Sequence, residues 1–319
     1  MNLSLPKSMG IQVRKKAALR EYTTFRLGGP CPFLLDCETP QQLTQTIRGL
    51  AAEHALFLLI GSGSNLLVSD EGLEKIVVRY VSPIPLMARE GRVLEVAGSS
   101  LLDDLAAFTV EQGLGGLGFA SGIPGTVGGA VAGNAGAFGK QIGDRVQSVL
   151  LMDRRGSTHW EFAGNLGFAY RSSRLQESEE AVVSVRLLLE PAEQGALIQE
   201  RKEILELRRQ KHPDWKTVPT AGSFFKNIEP TSAAERRQAA GWFLEQAGAK
   251  NLSAGGARVF EKHANIVVAA ENCTADDVLE LTQLMADVVS QKFGFRLMPE
   301  VRILGRFKSD RGVFPIIGK

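Results

Sequence analysis

GFASGIPGTVGGAVAGNAGAFG, residues 118–139, holds eight glycines in twenty-two positions, and most of the rest are small or apolar. A glycine inside a helix or strand costs about 0.5–1 kcal/mol relative to alanine. The composition therefore argues against an ordinary element, and for backbone that bends sharply or comes into contact with something else. Gly122, Gly125, Gly128 and Gly129 around Pro124 fit a loop whose amide N–H groups point at an anionic or polar ligand. A flexible linker is the plainer alternative. Linkers are rich in serine and charge, however, and this stretch carries Phe119, Ile123, Val127, Val131 and Phe138. A bound cofactor is the expectation.

A second loop of the same kind lies upstream. LFLLIGSGSNLLVSD reads as a buried strand over Leu56–Ile60, a Gly-Ser turn at Gly61, Ser62, Gly63, Ser64 and Asn65, and a further apolar run. Exposed amides and serine hydroxyls after a strand suit phosphate oxygens. The motif lacks the GK[ST] ending of a P-loop and the GxGxxG spacing of a dinucleotide fold, so a simple tight turn stays open on these residues alone.

At 319 residues the chain is long enough for two or three domains. A formal net charge of +2 gives no warrant for nucleic acid or a membrane surface as partner. Cys31, Cys37 and Cys273 are odd in number and lack metal-ligand spacing, which suggests thiols in a reducing cytosol. His54, His159, His212 and His263 form no ligand pattern. No signal-peptide core or membrane-span-length apolar run is visible, so a soluble cytoplasmic protein is expected.

In chain order, residues 1–22 are basic and poorly patterned. Thr39-Pro40 marks a helix start, followed by Leu43, Ile47 and Leu50 at helical spacing. Strands are expected at 76–81, 93–100, 147–153 and 181–190, with a boundary at Pro83 and Pro85. Ser100 and Asp103 resemble a capping arrangement for a helix ending near Gly113. Beyond Pro191 come a charged helix over 197–211, a tight turn in PTAGSFFKN (219–227), and a helix through Trp242 and Phe243 stopping at Gly248. A strand in ANIVVAAE (264–271) precedes a helix that Thr274 caps and Gly294 ends, and PEVRILG (299–305) reads as a last strand. The tail beyond Arg306 is unassigned. Two glycine loops in neighbouring α+β lobes suggest one extended ligand clamped between them.

GSGSN, GIPGTVGGAVAGNAGAFG, FAYRSSR, AGSFFKN, EKHAN and PEVRILG stand in the order found in UDP-N-acetylenolpyruvoylglucosamine reductases, and the chain resembles that family over roughly residues 20–305. The resemblance implies an α+β protein: a two-lobed FAD-binding module of the vanillyl-alcohol-oxidase type plus a smaller α+β substrate-binding domain. The expected divisions are lobe 1 at 1–81, lobe 2 at 82–191, the substrate domain at 192–305 and a tail at 306–319. The segment 190–200 is short, so an inserted tyrosine loop found in one branch is absent, and the chain is similar to the second type. EYTTF, residues 21–25, departs from the Asn-Thr-Phe of many relatives.

The implied reaction is reduction of UDP-N-acetylglucosamine enolpyruvate with non-covalent FAD and NADPH. A hydride goes to the terminal carbon of the enolpyruvyl group, leaving negative charge on the adjacent carbon and carboxylate. Arg171, in Tyr170-Arg171-Ser172-Ser173, matches the family's arginine, whose fork can grip that carboxylate. Ser223, in Gly222-Ser223-Phe224-Phe225, matches the proton donor, although its residues alone read as a turn serine. Glu300 matches the glutamate assisting the enolate, and burial is expected to raise its pKa.

The resemblance assigns Gly61–Asn65 and Gly122, Ile123, Pro124, Gly125, Thr126, Gly128 and Gly129 to the FAD pyrophosphate and ring. At Asn134, Ala135 and Gly136, backbone is expected to approach the flavin. Lys226 and Asn227 would serve the UDP end, with Tyr170, His263 and Asn265 as further substrate candidates. A lone histidine in such a place is more often structural. Two alternatives remain at this level. A flavin oxidase of the same fold commonly links its cofactor through His or Cys, and the glycine-rich regions hold neither. A catalytically silent nucleotide-binding module need not keep Arg171, Ser223 and Glu300 together.

Overall fold

The computed structural model describes residues 10–229 and 237–318. Residues 1–9 of the leading segment, 230–236 and the last residue of the tail lie outside them. The chain divides into two compact units. The first contains the chain up to Lys15, Phe33–Ser62 and Lys75–Arg208; the second contains Lys16–Pro32, Gly63–Glu74 and everything from Arg209 on. The second unit thus draws on three separated segments.

In the first unit, Pro30–Cys37, Ile76–Tyr80 and Phe57–Ile60 pair in parallel with Ile76–Tyr80 in the middle, and Gln12–Ala18 adds the outer strand. Helix α1 (Pro40–Ala52) begins at Thr39, whose hydroxyl accepts from Gln42 N while the Gln42 side chain returns to the Thr39 amide. This reciprocal box satisfies two orphan donors of the first turn. Leu43, Ile47 and Leu50 are buried from α1, and the adjacent strand starts at Phe57, with Leu56 exposed.

A five-stranded antiparallel sheet follows, in the order Thr158–Phe162, Val146–Met152, Ala181–Leu188, Val93–Ala97, Met87–Glu90. Val149, Val185 and Val96 sit opposite one another across its three central strands and are all fully buried. Helices α2 (Leu102–Glu111) and α3 (Val127–Ala132) pack their apolar residues into the same core. Ser100 does not cap α2: Leu101 holds the N-cap position without a side-chain bond, and the Ser100 hydroxyl accepts from Leu86 N at 3.0 Å. Glu190–Pro191 pairs with Leu114–Gly115 and leads into α4 (Gln194–Lys211), with only Ala192 and Glu193 between. No inserted loop fits there.

The second unit holds α5 (Ala240–Gln246) and α6 (Ala275–Phe293). Thr274 and Asp277 form a capping box at the start of α6, and Gly294 ends it at φ 78°, a conformation that costs glycine nothing. Val278, Leu281 and Met285 are fully buried from α6. Ser253–Ala254, Ala257–Val259 and Val267–Ala269 make one antiparallel sheet, and Leu66–Val68, Arg302–Leu304 and Ile316–Ile317 make a parallel one. The tail left unassigned from sequence is therefore built into the fold, with Phe314 buried in the unit's core.

Candidate active site

The glycine-rich stretch is more regular than its composition suggests. Thr126 caps α3 by accepting from Gly129 N at 3.3 Å, so a short helix sits in its middle, contrary to the expectation from composition. Several of its glycines are required by the fold itself. A β-carbon on Gly128 would lie 3.1 Å from Gly98 O, and the Gly128 amide donates to that oxygen at 2.9 Å. A β-carbon on Gly136 would lie 2.4 Å from Lys140 O, and one on Gly61 would lie 2.4 Å from Thr126 Oγ1. The two glycine loops thus meet inside the first unit at Gly61 and Thr126. Gly122 and Gly125 take φ 74° and 140°, where a side chain is strained.

The amides expected to face a ligand are largely committed. Gly122 N donates to Asp103 Oδ1 at 2.8 Å, Ile123 N to Ala120 O at 3.0 Å and Val127 N to Ser100 O at 2.9 Å. Among the described residues of the first unit, three buried hydroxyls, Ser62 Oγ, Ser121 Oγ and Ser178 Oγ, make no hydrogen bond to protein, and the first two lie on the two glycine loops. A buried polar atom in that state costs about 1–3 kcal/mol unless a ligand or water completes it. Buried hydroxyls in this state fit a polar cofactor.

Arg171 occupies the tip of a two-residue turn closed by Ala169 N to Ser172 O (3.0 Å) and Ser172 N to Ala169 O (3.1 Å). Its φ is 51°, unusual for arginine, and such strain persists only where the surroundings hold it. Three struts do so. Asn134 is fully buried, donates from Nδ2 to Ala169 O at 2.7 Å and accepts from Gly143 N at 3.0 Å. Ser173 Oγ donates to Ala132 O at 2.7 Å, and Gln176 Nε2 donates to Arg171 O at 3.3 Å. Asn134 therefore ties the glycine stretch to the arginine turn. The Arg171 guanidinium lies 5.3 Å from the Tyr170 ring.

Sequence reasoning overlooked Arg208, which sits in the charged pattern of α4. Its Nε donates to Ser121 O at 2.7 Å and its Nη2 to Phe119 O at 3.2 Å, with the guanidinium 5.8 Å from the Phe138 ring. Burial draws its pKa below the usual arginine range, Asp103 raises it, and the charge of Arg171 lowers it further. Arg171 and Arg208 thus put two interacting cations on this side of the first unit.

In the second unit, Ser223–Phe225 runs between two other segments. Ser223 bridges Ile266 on one side and Phe225 bridges Pro299 on the other. Glu300 N donates to Phe224 O at 2.7 Å, so Ser223 and Glu300 are both tied to the Phe224 backbone. Asn65 joins them: its Nδ2 donates to Glu300 O at 3.0 Å, and its carbonyl accepts from Arg302 N at 3.0 Å. The GSGSN loop is therefore divided, with Gly61 and Ser62 in the first unit and Gly63, Ser64 and Asn65 in the second. Gly63 needs its φ of 66°, since a β-carbon there would lie 2.1 Å from Tyr22 O. Thr23 of EYTTF ties backbone locally, its Oγ1 donating to Leu27 O at 2.9 Å, and Thr24 Oγ1 donates to Ser64 O, distant in sequence, at 3.5 Å.

Lys226 N donates to Met298 O at 2.9 Å, and Asn227 Oδ1 accepts from Ala240 N at 3.0 Å at the start of α5. His263 Nδ1 accepts from Asn265 N at 3.2 Å. Burial is the largest cause drawing the His263 pKa down; Lys211 and Lys250 also lower it and Glu245 raises it. The Asn265 carboxamide, expected to face substrate, is instead engaged on Phe225: Oδ1 accepts from its amide at 2.9 Å and Nδ2 donates to its carbonyl at 2.8 Å.

Residues 212–304 match the family of the UDP-N-acetylenolpyruvoylglucosamine reductase C-terminal domain, and residues 32–161 match the FAD binding domain family. A reductase 2 of that name from Symbiobacterium thermophilum is 39% identical over 295 residues, covering 92% of each chain. The reductase from Carboxydothermus hydrogenoformans is 36% identical, covering 94% of this chain and 97% of its own. The crystal structure of the reductase from Thermus caldophilus superposes with a TM-score of 0.76 at 30% identity, over 92% of this chain and 99% of that one.

The chain belongs to the UDP-N-acetylenolpyruvoylglucosamine reductase family. As in that family, an FAD-binding module is joined to a C-terminal domain of α+β structure, and FAD is the cofactor. The buried Ser62 and Ser121 hydroxyls, which make no hydrogen bond to protein, are compatible with a polar cofactor of that kind.

Proposed function

We propose that this enzyme uses NADPH to reduce UDP-N-acetylglucosamine enolpyruvate to UDP-N-acetylmuramate, in the cytoplasm, with Arg171, Ser223 and Glu300 as its catalytic residues. Reduction of the enolpyruvyl sugar nucleotide for peptidoglycan synthesis is the activity of a family matched along nearly the whole chain. When bound, FAD relays hydride from NADPH to the terminal carbon of the enolpyruvyl group. We take residues 1–81 and 82–191 as the lobes that hold it, 192–305 as the substrate domain and 306–319 as the tail.

The residues of the chain must then manage charge and a proton. Negative charge grows on the carbon next to the carboxylate and on the carboxylate itself. The Arg171 guanidinium offers two parallel N–H donors to that group and keeps its charge at any working pH. Donors fixed in advance of charge development cost no reorganisation during the reaction, and the struts from Asn134, Ser173 and Gln176 to the Arg171 turn supply that fixity. The Ser223 hydroxyl delivers the proton to carbon. A hydroxyl is a weak acid, so it serves only a strongly basic carbanion and only if well placed. Glu300 assists at the same carbon, and Lys226 meets the charge of the UDP diphosphate.

The observation that carries this reading is the bond from Glu300 N to Phe224 O at 2.7 Å, which holds Glu300 against the residue that follows Ser223. The test is turnover: protein, FAD, NADPH and UDP-N-acetylglucosamine enolpyruvate are incubated together and the products resolved by mass spectrometry. Consumption of NADPH matched by a product two hydrogen atoms heavier than the substrate is expected. NADPH oxidation that proceeds equally without the sugar nucleotide, with oxygen as acceptor, would favour a flavin oxidase.

A further inference from the structure

Ser223–Phe225 runs between two segments through isolated antiparallel bridges, and on one side a side chain completes its backbone hydrogen bonding. On one side Phe224 O accepts from Glu300 N and Lys226 N donates to Met298 O, as in an ordinary pairing. On the other side Ser223 bridges Ile266 and Phe224 N donates to Asn265 O at 2.8 Å. The N–H and C=O of Phe225 are met there by a side chain. The Asn265 carboxamide meets Phe225 N at 2.9 Å and Phe225 O at 2.8 Å. Asn265 is 2% exposed, so these bonds are made without competition from water. Its own amide is anchored on His263 Nδ1 at 3.2 Å. No other side chain among the described residues bonds both polar groups of one backbone residue in this segment.

We propose that Asn265 is a positioning residue of the reaction: by clamping the Phe225 backbone it fixes the Ser223 hydroxyl relative to the Glu300 carboxylate. The proposal rests on the reading of Ser223 as proton donor. Phe225 N shares its peptide group with Phe224 O, which Glu300 N meets, and Ser223 stands one residue upstream, whereas the Arg171 turn has its own struts within the first unit. Releasing the clamp therefore acts on protonation and leaves reduction of FAD by NADPH alone.

Two variants test it. Asn265→Asp keeps an acceptor for the Phe225 amide but sets an oxygen against the Phe225 carbonyl; Asn265→Ser is too short to span both groups. Each is first checked for FAD retention and thermal midpoint, then followed by anaerobic stopped-flow absorbance beside Ser223→Ala. Misplacing a reacting group by about 1 Å can cost about 100-fold, so reoxidation of reduced FAD by saturating substrate is expected to slow at least about tenfold. The solvent deuterium isotope effect on that step should rise as proton delivery becomes limiting, while reduction by NADPH stays within about twofold of the native rate. Should neither variant retain FAD, His263→Ala withdraws the acceptor of the Asn265 amide together with the ring contact to His212, and about threefold slower reoxidation alone is expected.

If Ser223→Ala slows reoxidation and the Asn265 or His263 variants do not, the positioning role is overturned and the serine assignment stands. If Ser223→Ala leaves reoxidation unaltered, both fall. A uniform loss in both half-reactions, or weaker substrate binding with an unchanged maximal rate, also overturns the proposal, since these are the marks of a structural or a substrate-contacting asparagine.

Discussion

Gly61→Ala separates a glycine kept for packing from one kept for a ligand. The added β-carbon would lie 2.4 Å from Thr126 Oγ1 and 3.3 Å from Cγ2 of the same residue. Thr126 is 3% exposed, and its hydroxyl caps α3 through Gly129 N. It cannot rotate away without losing the cap, and the contact cannot persist. Overpacking of this kind costs about 1–3 kcal/mol and a lost cap about 1 kcal/mol, so about 2–4 kcal/mol is expected together. In a Thr126→Ala background the clash disappears, because only the β-carbon at 3.4 Å remains. There Gly61→Ala should cost under about 1 kcal/mol, giving a coupling of about 1–4 kcal/mol. The assay is urea unfolding of the four proteins of the cycle, with FAD content measured on each. A coupling near zero would refute the packing account. Loss of FAD affinity at unchanged stability would show that the glycine serves the cofactor.

Three further outcomes follow from the same geometry. Arg171→Lys replaces a two-donor fork by a point charge, and kcat/KM is expected to fall about 100–1000-fold with FAD content unchanged; a steady-state assay near the native value would remove the carboxylate grip. The pKa of His263 is drawn down chiefly by burial, so between its folded value and the unfolded value of about 6.5 the unfolded chain holds the extra proton. The stability this histidine contributes is complete above about pH 6.5 and is lost as pH falls through that value toward the folded pKa. Urea midpoints of the native protein and His263→Gln should therefore diverge as pH is raised from 5 to 7 (both on the order of the window set by that shift), and parallel curves would contradict it. Burial pushes the Cys31 and Cys37 thiols up to about 11 and the Cys273 thiol up to about 12. A maleimide at neutral pH should label none of the three in the folded protein and all three in urea, and rapid labelling of the native state would refute that burial.

Local chemistry made much of the fold legible. Thr39-Pro40, Thr274 with Asp277, and Gly294 mark helix ends through hydrogen bonds that span three or four residues, and they stand where the sequence indicated. Ser100 misled because its hydroxyl found a partner at Leu86, far along the chain. The reasons for the glycines were hidden in the same way: Gly61 is set by Thr126 and Gly128 by Gly98. Arg171, Ser223 and Glu300 were recognisable only through family likeness, since arginine, turn serine and strand glutamate are ordinary residues. What supports them was not legible at all. The Asn134 side chain braces the Arg171 turn and the Asn265 carboxamide bonds the Phe225 backbone, contacts that no local pattern marks. The parallel pairing of Leu66–Val68 with Arg302–Leu304 joins segments more than half the chain apart, and no local pattern encodes it.

The most direct test of the central claim is the absorbance spectrum of the FAD-loaded protein under anaerobic conditions, first with NADPH and then with UDP-N-acetylglucosamine enolpyruvate. The account predicts that the flavin bands bleach on adding NADPH, persist bleached without an acceptor, and return on adding the enolpyruvyl sugar nucleotide. Bands that bleach but stay bleached with that substrate, and return only with oxygen, would contradict it.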